Sequence, residues 1–251
     1  MEKNYDFRFE FKPGKFIYVP TDDSITQGQK IVKDLLKKWS AADYFYHFGK
    51  RGGHVAAMRP HIVQSYKASI DLKGFFSTVT RTKVQRALRS VGYSNRYAFD
   101  LATESCVESG GRKFLPYGFV QSMALATLVV EKSKLGSVIV DLRQSGVQIS
   151  MYVDDIILSC GDKSILQSAY EALLGAIVVS NLTASPSKSA LPASTVVAFN
   201  STIFDTGIKI NSARMAEFKE KLKSVSTNGR LAILSYVGVI DDDQKKELIS
   251  F

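Results

Sequence analysis

Two stretches of the sequence place carboxylates at the ends of apolar runs. In one of them, Ser150-Met151-Tyr152-Val153-Asp154-Asp155-Ile156-Ile157-Leu158, apolar residues flank two adjacent aspartates. This pattern predicts a strand from Val147, a tight turn at the aspartates and a strand through Cys160. Two carboxylates at a hairpin tip repel each other unless a cation offsets their charge, which indicates a divalent metal site. The alternative is an ordinary Asp-Asp turn between two strands.

The other stretch, Ser69-Ile70-Asp71-Leu72-Lys73-Gly74-Phe75-Phe76-Ser77-Thr78-Val79, carries a third aspartate. A strand that enters the core would end at Asp71, bend at Gly74 and lead into a helix near Thr80. We therefore expect Asp71 to face the same site as the paired aspartates. Three carboxylates can hold two divalent ions, which orient a nucleophilic oxygen and stabilise charge on a phosphoryl group.

Composition limits the class of protein. The chain has 251 residues, of which 45% are apolar, enough for one sizeable core or two small lobes. A net charge of +9 indicates a polyanionic partner, although a basic enzyme of another kind could show the same balance. Cys106 and Cys160 have no paired spacing, which argues against disulfide frameworks and zinc sites. No apolar run approaches the ~18 residues of a membrane span, and a cytoplasmic protein without a membrane partner is expected.

At this point the sequence resembles a known family. Asp-x-x-x-x-Phe, from Asp71 to Phe76, and Tyr-x-Asp-Asp, from Tyr152, are similar to motifs A and C of reverse transcriptases, and their separation suits a palm domain with two helices and a loop between them. Residues 115–123 are similar to motif B, from which Tyr117 and Met123 depart. Ser185-Pro186-Ser187-Lys188-Ser189 resembles motif D. Residues 196–210 resemble the motif E hairpin less closely, because Asn200 and Ser201 replace its usual Leu-Gly.

The resemblance implies a role for each matched residue. Asp71, Leu72, Asp154 and Asp155 would bind Mg²⁺, with Mn²⁺ as the alternative ion, and Lys188 would neutralise or protonate the leaving pyrophosphate. Phe76 would be an aromatic steric gate that excludes a 2′-hydroxyl, for which simple core packing is the alternative. The residues predicted to bind nucleotide are Lys50, Arg51, Arg59, Gly74, Phe75, Phe76, Tyr117, Gly118 and Gln121.

Three of these residues come from a pattern outside the motifs. In residues 44–60 a Gly-Gly pair separates two β-prone runs, which predicts a hairpin. Lys50, Arg51 and Arg59 would bind the triphosphate from this hairpin, and a basic solvated strand edge is the alternative. Upstream, Pro13-Gly14 predicts a turn between short strands of unassigned function, and residues 21–24 cap a helix that runs through Trp39. Residues 211–224 and 229–250 read as two helices.

Together these features predict an α+β right-hand polymerase with a ferredoxin-like palm, short fingers and a reduced helical thumb. Residues 1–65 would form the N-terminal segment and fingers, residues 66–210 the palm, and residues 211–251 the thumb remnant. The compact size resembles bacterial stand-alone reverse transcriptases related to retron, group II intron and phage-defence enzymes, with Tyr117 pointing to the defence group.

The implied function is RNA-directed DNA synthesis from deoxynucleoside triphosphates. Its partners would be an RNA template, including the case of a dedicated non-coding RNA, and the DNA product, with an oligomer or protein partner left open. Template-independent synthesis or copying of one fixed RNA is an alternative, motivated by the departures in motif B. A non-catalytic nucleic-acid-binding relative is another alternative, disfavoured because bare carboxylates weaken phosphate binding. A nucleotide cyclase is made less probable by motifs B and D.

Overall fold

The computed structural model describes residues 3–48 and 52–250. The N-terminal part comprises β1 (Tyr5–Lys12), β2 (Lys15–Pro20), α1 (Asp22–Lys38), α2 (Gly53–Met58) and a 3-10 turn (Arg59–His61). The middle part comprises β3 (Tyr66–Asp71), α3 (Phe75–Thr78), α4 (Arg81–Ser90), α5 (Asn95–Glu104), β4 (Val107–Ser109), β5 (Arg112–Phe114), α6 (Ser122–Glu131), α7 (Lys134–Gln144), β6 (Gln148–Tyr152), β7 (Asp155–Cys160), α8 (Lys163–Val179) and β8 (Ala190–Ala193). The C-terminal part comprises β9 (Val196–Ala198), β10 (Ser201–Ile203), β11 (Ile208–Ile210), α9 (Ser212–Leu222), α10 (Thr227–Ile240) and α11 (Asp242–Ile249).

A four-stranded antiparallel sheet in the order β6-β7-β3-β8 lies at the centre of the fold. Side chains alternate between the two faces of a strand, so neighbouring residues of β7 enter different cores. Ile156 and Leu158 join the main cluster, whereas Ile157 packs with Val196 and Ile203 in a second cluster. Both faces of the sheet are therefore covered, which leaves the strand ends to carry a site.

The helix α6 crosses the main core and is buried on nearly every side. A helix that is apolar all round is typical of a core position. Its last residue, Glu131, accepts a hydrogen bond from the Trp39 indole at 2.9 Å, which joins the end of α1 to the core. α1 itself begins as predicted, because the Thr21 hydroxyl accepts the Ser24 amide hydrogen bond. Within the described residues, no helix has the length and apolarity that crossing a bilayer requires.

The mixed architecture, the hairpin at the paired aspartates, the strand ending at Asp71 and the turn at Pro13-Gly14 agree with the sequence-based predictions. The predicted hairpin over residues 44–60 is wrong. Gly52 has a left-handed backbone with φ of 92° and precedes the helix α2, in which Val55 and Met58 are buried three residues apart. The Gly-Gly pair therefore begins a helix rather than a β-turn.

Two further predictions of helix number are wrong. Five helices and the small β4–β5 hairpin separate Asp71 from Asp154, rather than two helices and a loop. The last predicted helix is divided in two, because Asp241 is extended and its side chain accepts the Gln244 amide as the N-cap of α11. The apolar periodicity runs through this stretch and predicts a single helix, but the capping residue Asp241 ends α10 and begins α11.

Candidate active site

The ends of β3 and β7 bring the predicted carboxylates together. Asp71 and Asp155 are register partners across the two strands. Asp154 lies in the tight turn before β7, and its carbonyl accepts a hydrogen bond from the Leu72 amide at 2.8 Å. Backbone pairing therefore gathers three carboxylates at one end of the two inner strands of the central sheet.

Burial and repulsion act on this group of carboxylates. Burial, followed by the charges of Asp154 and Asp71, raises the pKa of Asp155 to about 7. Burial is also the main cause of the raised pKa of Asp154, and the Lys188 ammonium opposes both increases. The site thus favours an added cation, which would stabilise the ionised carboxylates.

The donor set fits a hard divalent ion, because it consists of carboxylate oxygens. In residues 3–48 and 52–250, no three acidic, histidine or cysteine side chains form a ready-made metal cage. Mg²⁺ does not need one, since it is usually held by one or two carboxylates together with waters and substrate phosphates. An incomplete protein ligand set with excess negative charge is therefore compatible with this ion.

Lys188 reaches the site from the turn between α8 and β8. The Ser185 amide donates to the Asp71 carbonyl at 2.8 Å, and the Lys188 amide donates to the Ser185 carbonyl at 3.1 Å. The turn is thus fixed to Asp71 through the main chain. Nζ of Lys188 lies 3.4 Å from Oδ2 of Asp71, while the lysine side chain is 60% exposed. A long contact to a lysine that is mostly exposed is weak, so the ammonium can move to a more highly charged group.

Phe75 and Phe76 follow Gly74, which has a left-handed φ of 60°. Both rings are buried at the start of α3, so burial alone does not distinguish the predicted steric gate from a ring of the core. Their contacts distinguish them instead. The Phe76 ring packs edge-on against Tyr117, with ring centroids 4.7 Å apart. Phe76 is therefore the ring of this pair that borders the loop before α6.

This loop carries Tyr117 and Gly118, and it pairs with β2. The Tyr117 carbonyl accepts the Tyr18 amide hydrogen bond at 2.9 Å. A Cβ atom at Gly118 would lie 2.2 Å from the Tyr18 carbonyl oxygen, and φ there is 107°, so the close approach requires glycine. Burial, followed by the charges of Asp154 and Asp71, raises the pKa of Tyr117 to about 12. A neutral phenol thus stands beside the carboxylates.

Comparison with known proteins identifies this arrangement. Residues 20–223 match the family model described as reverse transcriptase (RNA-dependent DNA polymerase). The chain belongs to the reverse transcriptase family. It is 25% identical over 244 residues to the retron Ec86 reverse transcriptase of Escherichia coli, an alignment covering 94% of this chain and 74% of the relative. The predicted enzyme class, an RNA-directed DNA polymerase, is thereby confirmed, as is the resemblance to compact retron-like enzymes.

Solved structures with the same fold are more distant in sequence. A foamy viral protease-reverse transcriptase in complex with double-stranded DNA matches with a TM-score of 0.50 and 22% identity, over 91% of this chain and 34% of the viral chain. The RNA-dependent RNA polymerase of BmCPV matches with a TM-score of 0.53 and 13% identity, over 77% of this chain and 20% of the other. The chain thus spans about a third or less of these larger polymerases, which confirm the right-hand polymerase fold.

In this reverse transcriptase, two predicted nucleotide-binding cations, Lys50 and Arg51, lie outside the described residues. The third, Arg59, donates from Nη2 to the Val239 carbonyl of α10 at 3.3 Å. Gln121 is only 1% exposed, and its Oε1 has no hydrogen-bond partner among the described residues. Contact between Gln121 and a nucleotide would require this side chain to leave its buried position.

The N-terminal hairpin supplies residues that the sequence reasoning missed. Lys15, at the start of β2, lies close enough to lower the pKa of Asp154. On β1, the Phe11 ring lies 5.7 Å from the Tyr117 ring. The signal was present in the sequence as Lys12-Pro13-Gly14-Lys15, a tight turn flanked by lysines. The hairpin of unassigned function therefore lies beside Tyr117, with Lys15 within electrostatic range of Asp154.

β9 and β10 form the hairpin that resembles motif E. Phe199 and Asn200 both have positive φ, 51° and 60°, as a two-residue type I′ turn requires, and asparagine suits this geometry. The hairpin therefore forms although Asn200 and Ser201 replace the Leu-Gly that is usual in motif E. The Phe199 ring lies 5.5 Å from that of Tyr152. With His54 and Tyr236 they line a cavity of about 470 Å³.

Proposed function

We propose that this chain adds deoxynucleotides to a primer 3′ end on an RNA template by two-metal phosphoryl transfer. The observation that carries the proposal is that Asp71, Asp154 and Asp155 lie together where β3 ends and β7 begins, within reach of Lys188. Mg²⁺, with Mn²⁺ as the alternative, would be held by these carboxylates and the backbone carbonyl of Leu72. When bound, the ions would supply activation of the primer hydroxyl and charge stabilisation on the phosphoryl group.

The surrounding side chains have separate tasks. Lys188 is weakly paired and exposed, so its ammonium can turn towards the departing pyrophosphate and neutralise or protonate it. Lys15 would bind the triphosphate from the N-terminal hairpin. Phe76, held by Tyr117, would pack beneath the sugar and leave a 2′-hydroxyl without room or a hydrogen-bond partner.

The proposed division of labour follows the order of the chain. Residues 1–65 would act as short fingers, residues 66–210 as the palm and residues 211–251 as a reduced thumb. The β1–β2 hairpin supports this division, because its Phe11 ring packs against Tyr117, whereas Phe218 and Tyr236 of the C-terminal helices line the cavity that contains Tyr152.

Primer extension on an RNA of mixed sequence tests this function. The wild-type protein should copy the template, and Asp154→Asn should reduce incorporation by several orders of magnitude, since losing ion-mediated stabilisation can cost about 4 kcal/mol or more. Products that ignore the template sequence would favour untemplated synthesis. Near-normal incorporation by a folded Asp154→Asn protein would contradict the proposal.

We further propose that the enzyme acts in the bacterial cytoplasm in defence against phage, with a dedicated non-coding RNA as template. Similarity to a retron reverse transcriptase and the presence of Tyr117 in the loop before α6 support this role. Sequencing of the nucleic acid that copurifies with the protein should recover one dominant RNA and its complementary DNA. Phage plating on expressing cells should be reduced, and Asp154→Asn should abolish that protection.

A further inference from the structure

Val153, in the turn between β6 and β7, has a left-handed backbone with φ of 60°. A β-branched residue rarely adopts this region, and glycine usually occupies such a position in tight hairpin turns. A conformation of this kind persists where surrounding contacts hold it. The next residue is Asp154, so the contacts that hold Val153 also set the position of a proposed metal ligand.

His47 provides such a contact. The Val153 amide donates to Nδ1 of His47 at 2.8 Å, and Nε2 of His47 lies 2.8 Å from the Thr127 hydroxyl. The Thr127 hydroxyl donates to the Met123 carbonyl, also at 2.8 Å. Both ends of this relay have a fixed direction, because an amide only donates and a carbonyl only accepts. His47 is therefore the tautomer that carries its proton on Nε2 and donates it to Thr127.

The environment of His47 preserves this tautomer. Burial, partly offset by the Met151 carbonyl, lowers the pKa of His47 to about 4. At neutral pH the ring is thus uncharged, and Nδ1 remains an acceptor. The ring also packs against its neighbours, with centroids 5.6 Å from Phe45 and 6.0 Å from Tyr152.

The segment that carries His47 is hydrogen-bonded to β6, which precedes Val153, and to α6, which contains Thr127. The Tyr46 amide donates to the Met151 carbonyl, and the Met151 amide donates to the Tyr44 carbonyl, both at 2.8 Å. These bonds attach the segment to β6. The Ala42 amide donates to Glu131, at the end of α6, at 2.9 Å. His47 is therefore held in place before any substrate binds.

We propose that His47 is a positioning residue: its Nδ1 holds the Val153 amide and thereby fixes the turn that carries Asp154, while Thr127 ties this turn to α6. The inference rests on the proposed polymerase function. Because α6 follows the loop of Tyr117, the relay connects the part of the site that would face the nucleotide with the part that would bind metal. A small displacement of a catalytic group can cost on the order of a hundredfold in rate.

Four variants separate positioning from simple packing. His47→Phe keeps a ring but removes the acceptor, and His47→Asn returns an oxygen acceptor near the place of Nδ1. Thr127→Val removes the hydrogen bond between His47 and α6 and leaves the His47 side chain itself unchanged. It therefore tests the relay even where the His47→Phe protein fails to fold. Ile139→Val, in the buried face of α7, is the packing control.

Steady-state primer extension, corrected for the fraction of active enzyme, provides the first measurement. His47→Phe should lower kcat about tenfold or more with less than about a threefold change in the KM for nucleotide, since the group acts on the reacting geometry. His47→Asn should recover part of this loss, Thr127→Val should fall between wild type and His47→Phe, and Ile139→Val should match wild type. A folded His47→Phe enzyme with kcat within about twofold of wild type, or equal losses in His47→Phe and His47→Asn, would overturn the proposal.

Amide hydrogen exchange gives a second measurement that needs no activity. The Val153 amide should exchange about tenfold faster or more in His47→Phe, because its acceptor is lost, whereas the Met151 amide keeps its bond to Tyr44 and should be unchanged. Equal acceleration of both amides would show general loosening of the hairpin and would overturn the positioning role. An inactive wild-type protein with this exchange pattern would instead count against the proposed polymerase function alone.

Discussion

Lys188 and Asp71 form an ion pair of 3.4 Å in which the lysine side chain is 60% exposed and the aspartate side chain only 11% exposed. The two residues are also joined through the backbone, because the Ser185 amide of the same turn donates to the Asp71 carbonyl. The main chain therefore keeps the turn in place whether or not the ammonium remains on the carboxylate. Such a lysine is free to follow charge as it develops on a leaving group.

Replacement of Lys188 by Met should lower kcat by about ten- to a thousandfold, because a charge or proton for the leaving pyrophosphate is lost. The unfolding midpoint should change little, since the ammonium is mostly exposed and the main chain, rather than the ion pair, holds the turn. Pre-steady-state incorporation together with a denaturant titration measures both quantities. Lys163→Met, at the exposed start of α8, should leave both unchanged. A Lys188→Met enzyme with wild-type kcat would remove Lys188 from the mechanism.

Asp155→Asn should abolish incorporation and yet stabilise the metal-free protein at alkaline pH. The folded pKa of Asp155, about 7, lies above the ordinary value, so the cost of ionising this carboxyl in the folded protein is absent below about pH 4, grows between about pH 4 and pH 7, and is fully present above pH 7. In EDTA, the variant should be more stable than wild type by on the order of 2 kcal/mol near pH 8, with the difference shrinking towards pH 5. Mg²⁺ should raise the melting temperature of wild type more than that of the variant. An equal Mg²⁺ effect on both would argue against Asp155 as a ligand.

Phe76→Ala should admit ribonucleotides, and it should also destabilise the fold. Phe76 is 5% exposed and packs on Tyr117, so truncation should cost about 3–5 kcal/mol. Phe75→Ala is the matched control, because it removes a neighbouring buried ring and should cost stability without changing sugar choice. Parallel incorporation of both nucleotide types, with melting curves, separates the two effects. A folded Phe76→Ala enzyme that still rejects ribonucleotides would refute the gate.

Lys15→Ala should raise the KM for deoxynucleotide about five- to 150-fold, because a charged hydrogen bond to phosphate contributes about 1–3 kcal/mol. Arg59→Ala compares the two candidate cation sites directly. Arg59 bonds the Val239 carbonyl of α10, so its loss should leave the KM for nucleotide close to wild type. A larger KM increase in Arg59→Ala than in Lys15→Ala would restore the original assignment of triphosphate binding to that region.

The sequence predicted the parts of the site that depend on local pattern. The end of β3 at Asp71 and the start of β7 at Asp155 follow from apolar runs that are bounded by a carboxylate, and the turn of Lys188 follows from a motif. The hairpin predicted over residues 44–60 failed because a Gly-Gly pair serves a helix start as well as a β-turn, and the choice is made by burial of Val55 and Met58. Local pattern does not carry that information.

Lys15 and His47 were missed for a different reason. Lys15 lowers the pKa of Asp154, which is far from it in the sequence, and His47 accepts a hydrogen bond from Val153, which is more than a hundred residues away. Neither residue has a sequence spacing that identifies its partner. Contacts of this kind arise from the tertiary fold, so a single sequence shows the residue but not its role.

The last prediction concerns His61, which is fully buried between the hydroxyls of Ser150 and Ser159 on β6 and β7. Burial is the main cause that lowers the pKa of His61, to about 3, from an ordinary value of 6.5. Below about pH 6.5 the unfolded chain therefore binds a proton at His61 that the folded protein does not bind. Stability is lost as pH falls from there towards 3, by up to about 1.4 kcal/mol per pH unit.

His61→Gln keeps a polar side chain but has no such proton uptake, so its stability should fall less steeply between about pH 6 and pH 4 than that of wild type. Asp155 shifts in the opposite sense, because its raised pKa favours the folded state as pH falls, but it contributes equally to both proteins and cancels in the comparison. Urea titrations of the two proteins across this range measure the difference in slope. Parallel pH dependences would show that His61 accepts a proton within the folded hairpin, and the buried neutral ring would then not be the source of acid sensitivity.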